Sequence, residues 1–289
     1  MSEIIDGKAI YTPKGAALEY GRIGCNFYTG CPHNCEYCYL KRGITGKVLG
    51  GTEVRLKKTL KDEATAMRTF EREAWKNIWE LRQHGLFFSF TTDPLIKETR
   101  KLTTDAAIWA NQHGIVVKLL TKNADFIDDE SIMSRFLATD ICRNMVEFGF
   151  TLTGRDDMEP GASLNLERIL TMRKLKKMGF KTWASIEPVI DWHSTEQMIL
   201  LSLDCCDHYK IGLRSGVKKD YYKPVEVYER IRAIVEYVWS KGRTVYLKDS
   251  VCNMIGDSNL FTYEDYMKII RKTVNMDGKR IENDYTIAY

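Results

Sequence analysis

The sequence predicts an α/β fold built on parallel strands, and two observations support this prediction. From residue 86 onward, short runs rich in β-branched or aromatic residues alternate with stretches in which apolar residues recur at helical spacing. Strands and helices that alternate in this way form βαβ units, whose strands are parallel. The chain has 289 residues, 44% of them hydrophobic, and is therefore long enough to bury one large core.

Seven strands are predicted in chain order, the first directly before a cysteine-rich loop. They span residues 23–28, 86–91, 115–121, 146–153, 181–186, 208–213 and 244–247. Six βα units and a short seventh strand fit a partial (β/α)6 TIM-like barrel, and about 250 residues is an ordinary size for an α/β barrel.

Helices are predicted between these strands from apolar periodicity and from end signals. One covers residues 67–81 and stops before Gly85, and a second covers 166–178 before Gly179. A third begins near Pro224, and a last one is capped by Thr262. Residues 281–289 are expected to form a tail or an edge strand. We therefore expect a single domain over residues 1–289, with the barrel core at about 20–250 and the C-terminal helix and tail at 251–289.

The charge and the N-terminal residues exclude little and favour a cytoplasmic protein. The 43 basic and 39 acidic residues give a net charge of +4, which is too small to identify a nucleic-acid or membrane partner. The first ten residues lack the pattern of a signal peptide, and no run approaches the roughly 18 apolar residues of a membrane span. In a reducing cytoplasm the eight cysteines would not persist as disulfides.

Three of these cysteines form the densest chemical motif of the chain. Cys31, Cys35 and Cys38 have C-x3-C-x2-C spacing in a loop directly after the first predicted strand. A cubane iron–sulfur cluster normally takes four cysteine ligands, so three would leave one iron open for another ligand. Loops after barrel strands meet at the C-terminal rim, where active sites form. The motif therefore predicts a cluster at the mouth of the barrel.

The alternative is a zinc-stabilised protein without catalytic activity that binds nucleic acid. In that interpretation Cys25 or His33 supplies the fourth ligand of a closed tetrahedral site. No second pair of cysteines at knuckle spacing accompanies the motif. The remaining cysteines are expected to be small buried hydrophobic residues: Cys142, Cys205, Cys206 and Cys252.

The motif, with aromatic Tyr37 just before the last cysteine, resembles the signature of the radical S-adenosylmethionine superfamily. This resemblance implies a [4Fe–4S] cluster whose open iron chelates S-adenosylmethionine. An injected electron would then release methionine and a 5′-deoxyadenosyl radical that abstracts hydrogen from a substrate. The resemblance further implies a lyase or modifying enzyme and an external electron donor such as flavodoxin or ferredoxin.

Within the superfamily, the chain is similar to the spore photoproduct lyase-like group over roughly residues 20–190. The likeness lies in residues 35–40, 91–94, 119–122 and 151–170. Those lyases carry a hydrogen-donating cysteine at the end of the second strand, whereas this chain has none there. Three later stretches also resemble phage-associated radical-type proteins of unknown function: residues 185–188, 210–212 and 246–248.

Residues at the predicted strand ends and around the motif are candidates to bind the cofactor. Tyr39 is a candidate to relay a hydrogen atom, although a packed aromatic ring is the simpler interpretation. The polar candidates could instead belong to turns or solvated loops. The cofactor-binding candidates are Tyr37, Thr92, Asp93, Thr153, Arg155, Ile186 and Glu187.

The substrate is the least determined part of the prediction. Four cations follow or end predicted strands, and together they would suit a nucleotide or a nucleic acid. Scattered cations are more often solvated surface residues, and a peptide or small metabolite remains an alternative substrate. The four cations are Lys122, Lys210, Arg214 and Lys248.

Overall fold

The computed structural model describes residues 4–42, 46, 49–256, 260, 262–270 and 272–274. The chain divides into two compact units. The first unit comprises Met1–Thr151 and Arg155–Thr182, and the second comprises Leu152–Gly154 and Trp183–Tyr289. This division is not apparent in the sequence, and the single domain expected from the sequence remains a prediction.

The first unit contains most of the strands, in a mainly parallel arrangement. Its principal strands are ordered β1-β2-β5-β6-β7, with only β1 antiparallel to its neighbour, while β3 and β4 form a separate antiparallel pair. The bounds are Ile10–Tyr11 (β1), Gly24–Cys25 (β2), Tyr28–Thr29 (β3), Arg55–Leu56 (β4), Leu86–Phe88 (β5), Val117–Thr121 (β6) and Val146–Thr151 (β7). The predicted first strand is therefore two short strands, because residues 24–25 pair with β5 and residues 28–29 pair with β4.

Three helices of the first unit begin with a side-chain cap, at Asp62, Asp129 and Thr139. The Asp62 carboxylate accepts a hydrogen bond of 2.7 Å from the backbone amide of Thr65 at the start of α1. The predicted helix over 67–81 is interrupted at Asn77, whose side chain donates to the Glu73 carbonyl oxygen at 2.7 Å. The helices are Glu63–Lys76 (α1), Ile78–His84 (α2), Arg100–Gln112 (α3), Glu130–Leu137 (α4), Asp140–Met145 (α5) and Asn165–Lys177 (α6).

The second unit contains three parallel strands in the order β8-β9-β10. These are Lys181–Val189 (β8), His208–Leu213 (β9) and Thr244–Leu247 (β10). Both β9 and β10 have the predicted bounds, whereas β8 runs three residues further than predicted. The helices are Trp192–Ser202 (α7), Pro224–Ser240 (α8), Asp249–Gly256 (α9) and Tyr263–Ile270 (α10).

The short seventh strand and the C-terminal helix are thus present as β10 and α10, and residues 281–289 lie outside the described residues. In both units parallel strands alternate with helices, as the sequence predicts for an α/β fold. Among the described helices, none combines the length and the hydropathy needed to cross a membrane.

Candidate cofactor site around the cysteine loop

The cysteine loop, residues 30–38, follows β3 and is held on one side by the chain near β4. Gly30 has φ 82° and lies so close to the Glu53 carbonyl oxygen that a Cβ would collide with it. The backbone amide of Cys31 donates to the carbonyl oxygen of Gly51 at 2.9 Å. These contacts therefore fix the backbone position of Cys31.

On its other side the loop packs against residues 158–161. The amide of Glu36 donates to the Met158 carbonyl at 3.0 Å, and the amide of Gly161 donates to the His33 carbonyl at 3.0 Å. A Cβ on Gly161 would lie 3.0 Å from the His33 Cα and would collide with the Pro32 carbonyl oxygen. This close backbone approach requires glycine at position 161.

The His33 side chain connects the cysteine loop to Gly161 and to Asp93, which follows β5. Its Nδ1 lies 2.9 Å from the Gly161 carbonyl oxygen, and its Nε2 lies 2.7 Å from Asp93 Oδ2. Both partners are acceptors when Asp93 is ionised, so the ring donates from both nitrogens. His33 therefore ties the cysteine loop to Asp93 through a buried ionic hydrogen bond.

The Asp93 carboxylate is buried and accepts hydrogen bonds from several groups besides His33. Thr121 Oγ1 donates to both carboxylate oxygens at 2.7 and 2.9 Å, and the backbone amides of Lys122 and Leu95 donate at 2.7 and 2.9 Å. Burial by itself would raise the pKa of Asp93, but the His33 hydrogen bond and charge, with these amides, hold it below its usual value. The ends of β5 and β6 thus meet at this carboxylate.

A second buried network lies beside the cysteine loop. The Tyr37 hydroxyl donates to Glu159 Oε1, and the other Glu159 oxygen pairs with Arg168 at 2.7 Å, both side chains of this pair being fully buried. Arg168 also donates to the carbonyl oxygens of Ser163 and Thr151, each at 2.8 Å. The pKa of Glu159 is below its usual value, since Arg168 and Lys122 outweigh the effect of burial.

The Lys122 side chain directly follows β6 and interacts electrostatically with Cys35 and Cys31. Its ammonium group lies 5.6 Å from the centre of the Tyr37 ring. Burial acts to lower the pKa of Lys122, but the interactions with Cys35 and Glu159 outweigh it and raise the pKa above its usual value. Lys122 is therefore a cation whose charge acts on the thiols that would hold a cluster.

The thiols themselves are suited to soft metal ions. Cys35 is buried, and Cys31 and Cys38 are half-buried. In the metal-free protein, burial raises the pKa of the Cys31 thiol to about 12 and also raises that of Cys35. Within the described residues, no three His, Cys, Asp or Glu side chains are positioned to hold a metal ion. The donor set of three thiols on one fixed loop nevertheless fits an iron–sulfur cluster, which is bound by thiolates.

One unpartnered buried group supports a ligand at this place. Thr92 precedes Asp93, and its hydroxyl is buried with no hydrogen-bond partner among the described residues. A buried hydroxyl without a partner is unusual in native proteins. A polar group of a bound cofactor would supply the missing partner.

Of the other predicted residues in the first unit, two have their polar groups engaged elsewhere. Tyr39 is 54% exposed, and its hydroxyl donates to the Phe90 carbonyl oxygen. Arg155 makes a two-pronged ion pair with the exposed Asp157, at 2.8 and 2.7 Å. The proposed roles of Tyr39 in hydrogen transfer and of Arg155 in cofactor binding remain predictions.

The remaining predicted residues belong to the second unit. Thr153 is buried, and Ile186 and Glu187 are neighbours on β8. Because side chains alternate along a strand, Ile186 and Glu187 point to opposite faces of β8. Glu187 pairs with Lys248 at 2.6 Å. The expected contacts of Thr153, Ile186 and Glu187 with a cofactor remain predictions.

The face of the strands that carries Glu187 is polar along its length. Lys210 is buried, with its ammonium group 5.8 Å from the ring centre of Trp183 and 5.2 Å from that of Tyr246. A Cβ at Gly212 would lie 2.9 Å from both Glu187 Cδ and Lys248 Cδ. Glycine at this position leaves the space that the ion pair occupies.

Several positioning residues of the site are not identifiable from the sequence. The sequence predicts His33 only as an alternative zinc ligand, and it places Glu159, Gly161 and Arg168 only within a stretch that resembles the lyase-like group. The one sequence signal for these residues is that an acidic residue, a glycine and an arginine follow the strand now labelled β7. Sequence spacing alone does not show that they reach a loop more than 120 residues earlier.

Comparisons with known proteins identify solved structures with a similar fold. No family model matches the chain, and no curated protein matches it. Spore photoproduct lyase complexed with dinucleoside spore photoproduct superposes with a TM-score of 0.60 at 17% identity, over 82% of this chain and 80% of that one. The crystal structure of Streptococcus suis SuiB gives 0.54 at 11% identity, over 82% of this chain and 52% of that one. These superpositions confirm the predicted α/β fold class, and the chain is similar in fold to spore photoproduct lyase and to SuiB.

Proposed function

We propose that this protein is a radical S-adenosylmethionine enzyme in which Cys31, Cys35 and Cys38 hold a [4Fe–4S] cluster. The observation that carries the proposal is the cysteine loop itself, fixed at Gly30 and Gly161 within a fold shared with spore photoproduct lyase. Three thiol ligands leave one iron of such a cluster without a protein ligand.

When bound, such a cluster passes an electron from an external donor to S-adenosylmethionine and so generates the 5′-deoxyadenosyl radical that abstracts hydrogen from substrate. The protein residues have positioning and binding roles. Asp93 and His33 set the position of the cysteine loop, and Glu159 orients Tyr37. Lys122 is suited to the carboxylate of the cofactor, and the buried Thr92 hydroxyl to one of its polar atoms.

Two observations disfavour the zinc-stabilised alternative. Both ring nitrogens of His33 are already engaged, with Gly161 and Asp93, so ligation would break a buried ionic hydrogen bond. Cys25 is fully buried on β2, where the charged groups that affect its thiol are Lys57 and Glu73. Neither residue is placed as a ready fourth ligand.

Anaerobic reconstitution with iron and sulfide tests the proposal. We expect brown protein with about four irons, which forms 5′-deoxyadenosine with dithionite and S-adenosylmethionine. Cys35→Ala should abolish both the iron and the cleavage, because two thiolates do not hold the cubane. Cys142→Ala, which also removes a buried thiol, is the matched control and should retain both.

Stoichiometric zinc without cleavage would overturn the proposal in favour of the zinc-stabilised protein. Loss of the cluster in Cys25→Ala would instead show that the ligand set is wrong. These two outcomes are separated by measuring iron, zinc and 5′-deoxyadenosine on the same samples.

For the substrate we propose a nucleic acid or a nucleotide, processed in the cytoplasm. Spore photoproduct lyase was solved with a dinucleoside photoproduct, and cations lie at strand ends in both units of this chain. A peptide is the second candidate, since SuiB was solved bound to its precursor peptide SuiA. Faster cofactor cleavage on adding DNA, RNA or nucleotides would support the first candidate, and a response only to peptides would support the second.

A further inference from the structure

The segment between β9 and α8, residues 214–223, is here called the basic loop. It contains four cations and a single carboxylate, at Asp220. The loop leaves the C-terminal end of a parallel strand, which is where ligand sites form in parallel α/β folds. The four cations are Arg214, Lys218, Lys219 and Lys223.

Two tyrosines fasten the basic loop to the end of β8. The Tyr221 hydroxyl donates to the Ile190 carbonyl oxygen at 2.7 Å. The Tyr222 hydroxyl donates to the Val189 carbonyl oxygen and accepts from the backbone amide of Arg214 at 2.8 Å. The loop is therefore held in a defined position next to the strand ends of the second unit.

Three lysines of the basic loop have ammonium groups that a ligand can reach. Lys218, Lys219 and Lys223 are exposed, and within the part of the chain that the structure describes none of them has an ion-pair partner. Tyr221 lies between Lys219 and Lys223 in the sequence and is 44% exposed. Exposed cations interleaved with an aromatic ring are the arrangement that binds single-stranded nucleic acids.

The Arg214 side chain independently indicates a binding site for an anion. Its side chain is half-buried, and its Nε–H group is buried without an acceptor among the described residues. Buried donors are nearly always paired in native proteins, and leaving one unpaired costs about 1–3 kcal/mol. A phosphate oxygen is the acceptor that the guanidinium group matches best.

We propose that the basic loop binds the sugar–phosphate backbone of a single-stranded nucleic acid. Arg214, Lys218, Lys219 and Lys223 contact phosphates, and Tyr221 stacks on a base. The amino end of α8, which begins at Pro224 directly after Lys223, adds its positive dipole to the same place. The inference rests on the proposed function in one respect, because it specifies how a nucleic-acid substrate is held.

Binding of fluorescent 12-nucleotide DNA and RNA strands to the reconstituted full-length protein tests the inference. Lys218→Ala/Lys219→Ala should weaken binding roughly 20-fold at 0.1 M salt and reduce the salt-dependence slope by about 1.4, since each single-strand phosphate contact contributes about 0.7. The matched control is Arg232→Ala/Lys241→Ala, which removes two exposed cations from further along α8 and beyond its end and should leave binding near the wild-type value. Arg214→Lys keeps the charge but removes the Nε–H group, and we expect it to weaken binding as well.

Three outcomes would overturn the inference: no binding by the wild type, equal losses in the test and control variants, or inhibition by inorganic phosphate or anionic vesicles as strong as that by the oligonucleotide. Circular dichroism of each variant excludes unfolding as the cause of a loss. Formation of 5′-deoxyadenosine is measured on the same preparations. Cleavage without nucleic-acid binding would overturn this inference alone, whereas binding without cleavage would overturn the radical chemistry alone.

Discussion

The two units of the molecule surround buried charges with different partners. In the first unit the buried carboxylates beside the cysteine loop, Asp93 and Glu159, each accept hydrogen bonds from several donors, which include the buried Arg168. In the second unit the buried charges are the ammonium groups of Lys210 and Lys248, which contact aromatic rings or a partly exposed carboxylate.

This difference distinguishes a rigid polar network in the first unit from a more accessible ion pair in the second. A carboxylate that accepts from four groups has little capacity left for a ligand, so it fixes the position of the backbone around it. Glu187 is 23% exposed and pairs with Lys248, so solvent can reach part of this carboxylate. The buried carboxylates of the first unit thus fix the backbone around the cysteine loop, whereas the second unit has a partly exposed ion pair on its strands.

Removing the Asp93 carboxylate should have the largest effect on stability. Asp93→Ala leaves a buried imidazolium, a hydroxyl and two amides without their acceptor, and we expect a loss of about 3–5 kcal/mol in the free energy of unfolding. Reconstituted iron should fall as well, because His33 loses its anchor. Denaturant unfolding and iron analysis check both. The control, Asp62→Ala, removes an exposed helix cap and should cost less.

The pH dependence of stability gives a second test of the same group. Because the folded-state pKa of Asp93 is lowered, its contribution is complete above the unfolded pKa of about 3.9 and is lost as the pH falls through the lower folded value. Asp93→Ala should therefore unfold with a shallower acid dependence than the wild type. Equal acid profiles would contradict the assigned role of the carboxylate.

Substitution of Gly161 should have an intermediate effect. Gly161→Ala forces the Pro32 carbonyl away and shifts the cysteine loop, at an expected cost of about 1–3 kcal/mol with a lower yield of cluster. Gly51→Ala is the matched control, because nothing lies within 4 Å of the added methyl group. Equal stability and iron content in both variants would show that the loop tolerates movement.

Breaking the ion pair of the second unit should have the smallest effect. Lys248→Met removes the cation that pairs with Glu187, but water can reach this carboxylate, so we expect a loss of about 1–2 kcal/mol in the free energy of unfolding. The double variant Lys248→Met/Glu187→Gln should recover most of it. A loss as large as that of Asp93→Ala would erase the contrast between the two units.

Local signals predicted much of the fold. The bounds of β9 and β10 follow from compact apolar runs, and the start of α8 follows from Pro224. The break at Asn77 was missed because Ile78 and Leu81 continue the apolar phase of α1, so periodicity alone does not show where the backbone turns away. The split of the predicted first strand was missed because its two halves pair with strands that are distant in sequence.

By itself the sequence determined the cysteine spacing and the alternation of strands and helices, because both are local in the chain. Tertiary structure alone decided which groups surround these cysteines. His33 reaches Asp93 across 60 residues, and Tyr37 reaches Glu159 across 122. Such contacts depend on which strand ends lie side by side in the sheet. The number of residues between two positions in the chain does not determine how far apart they lie in the fold.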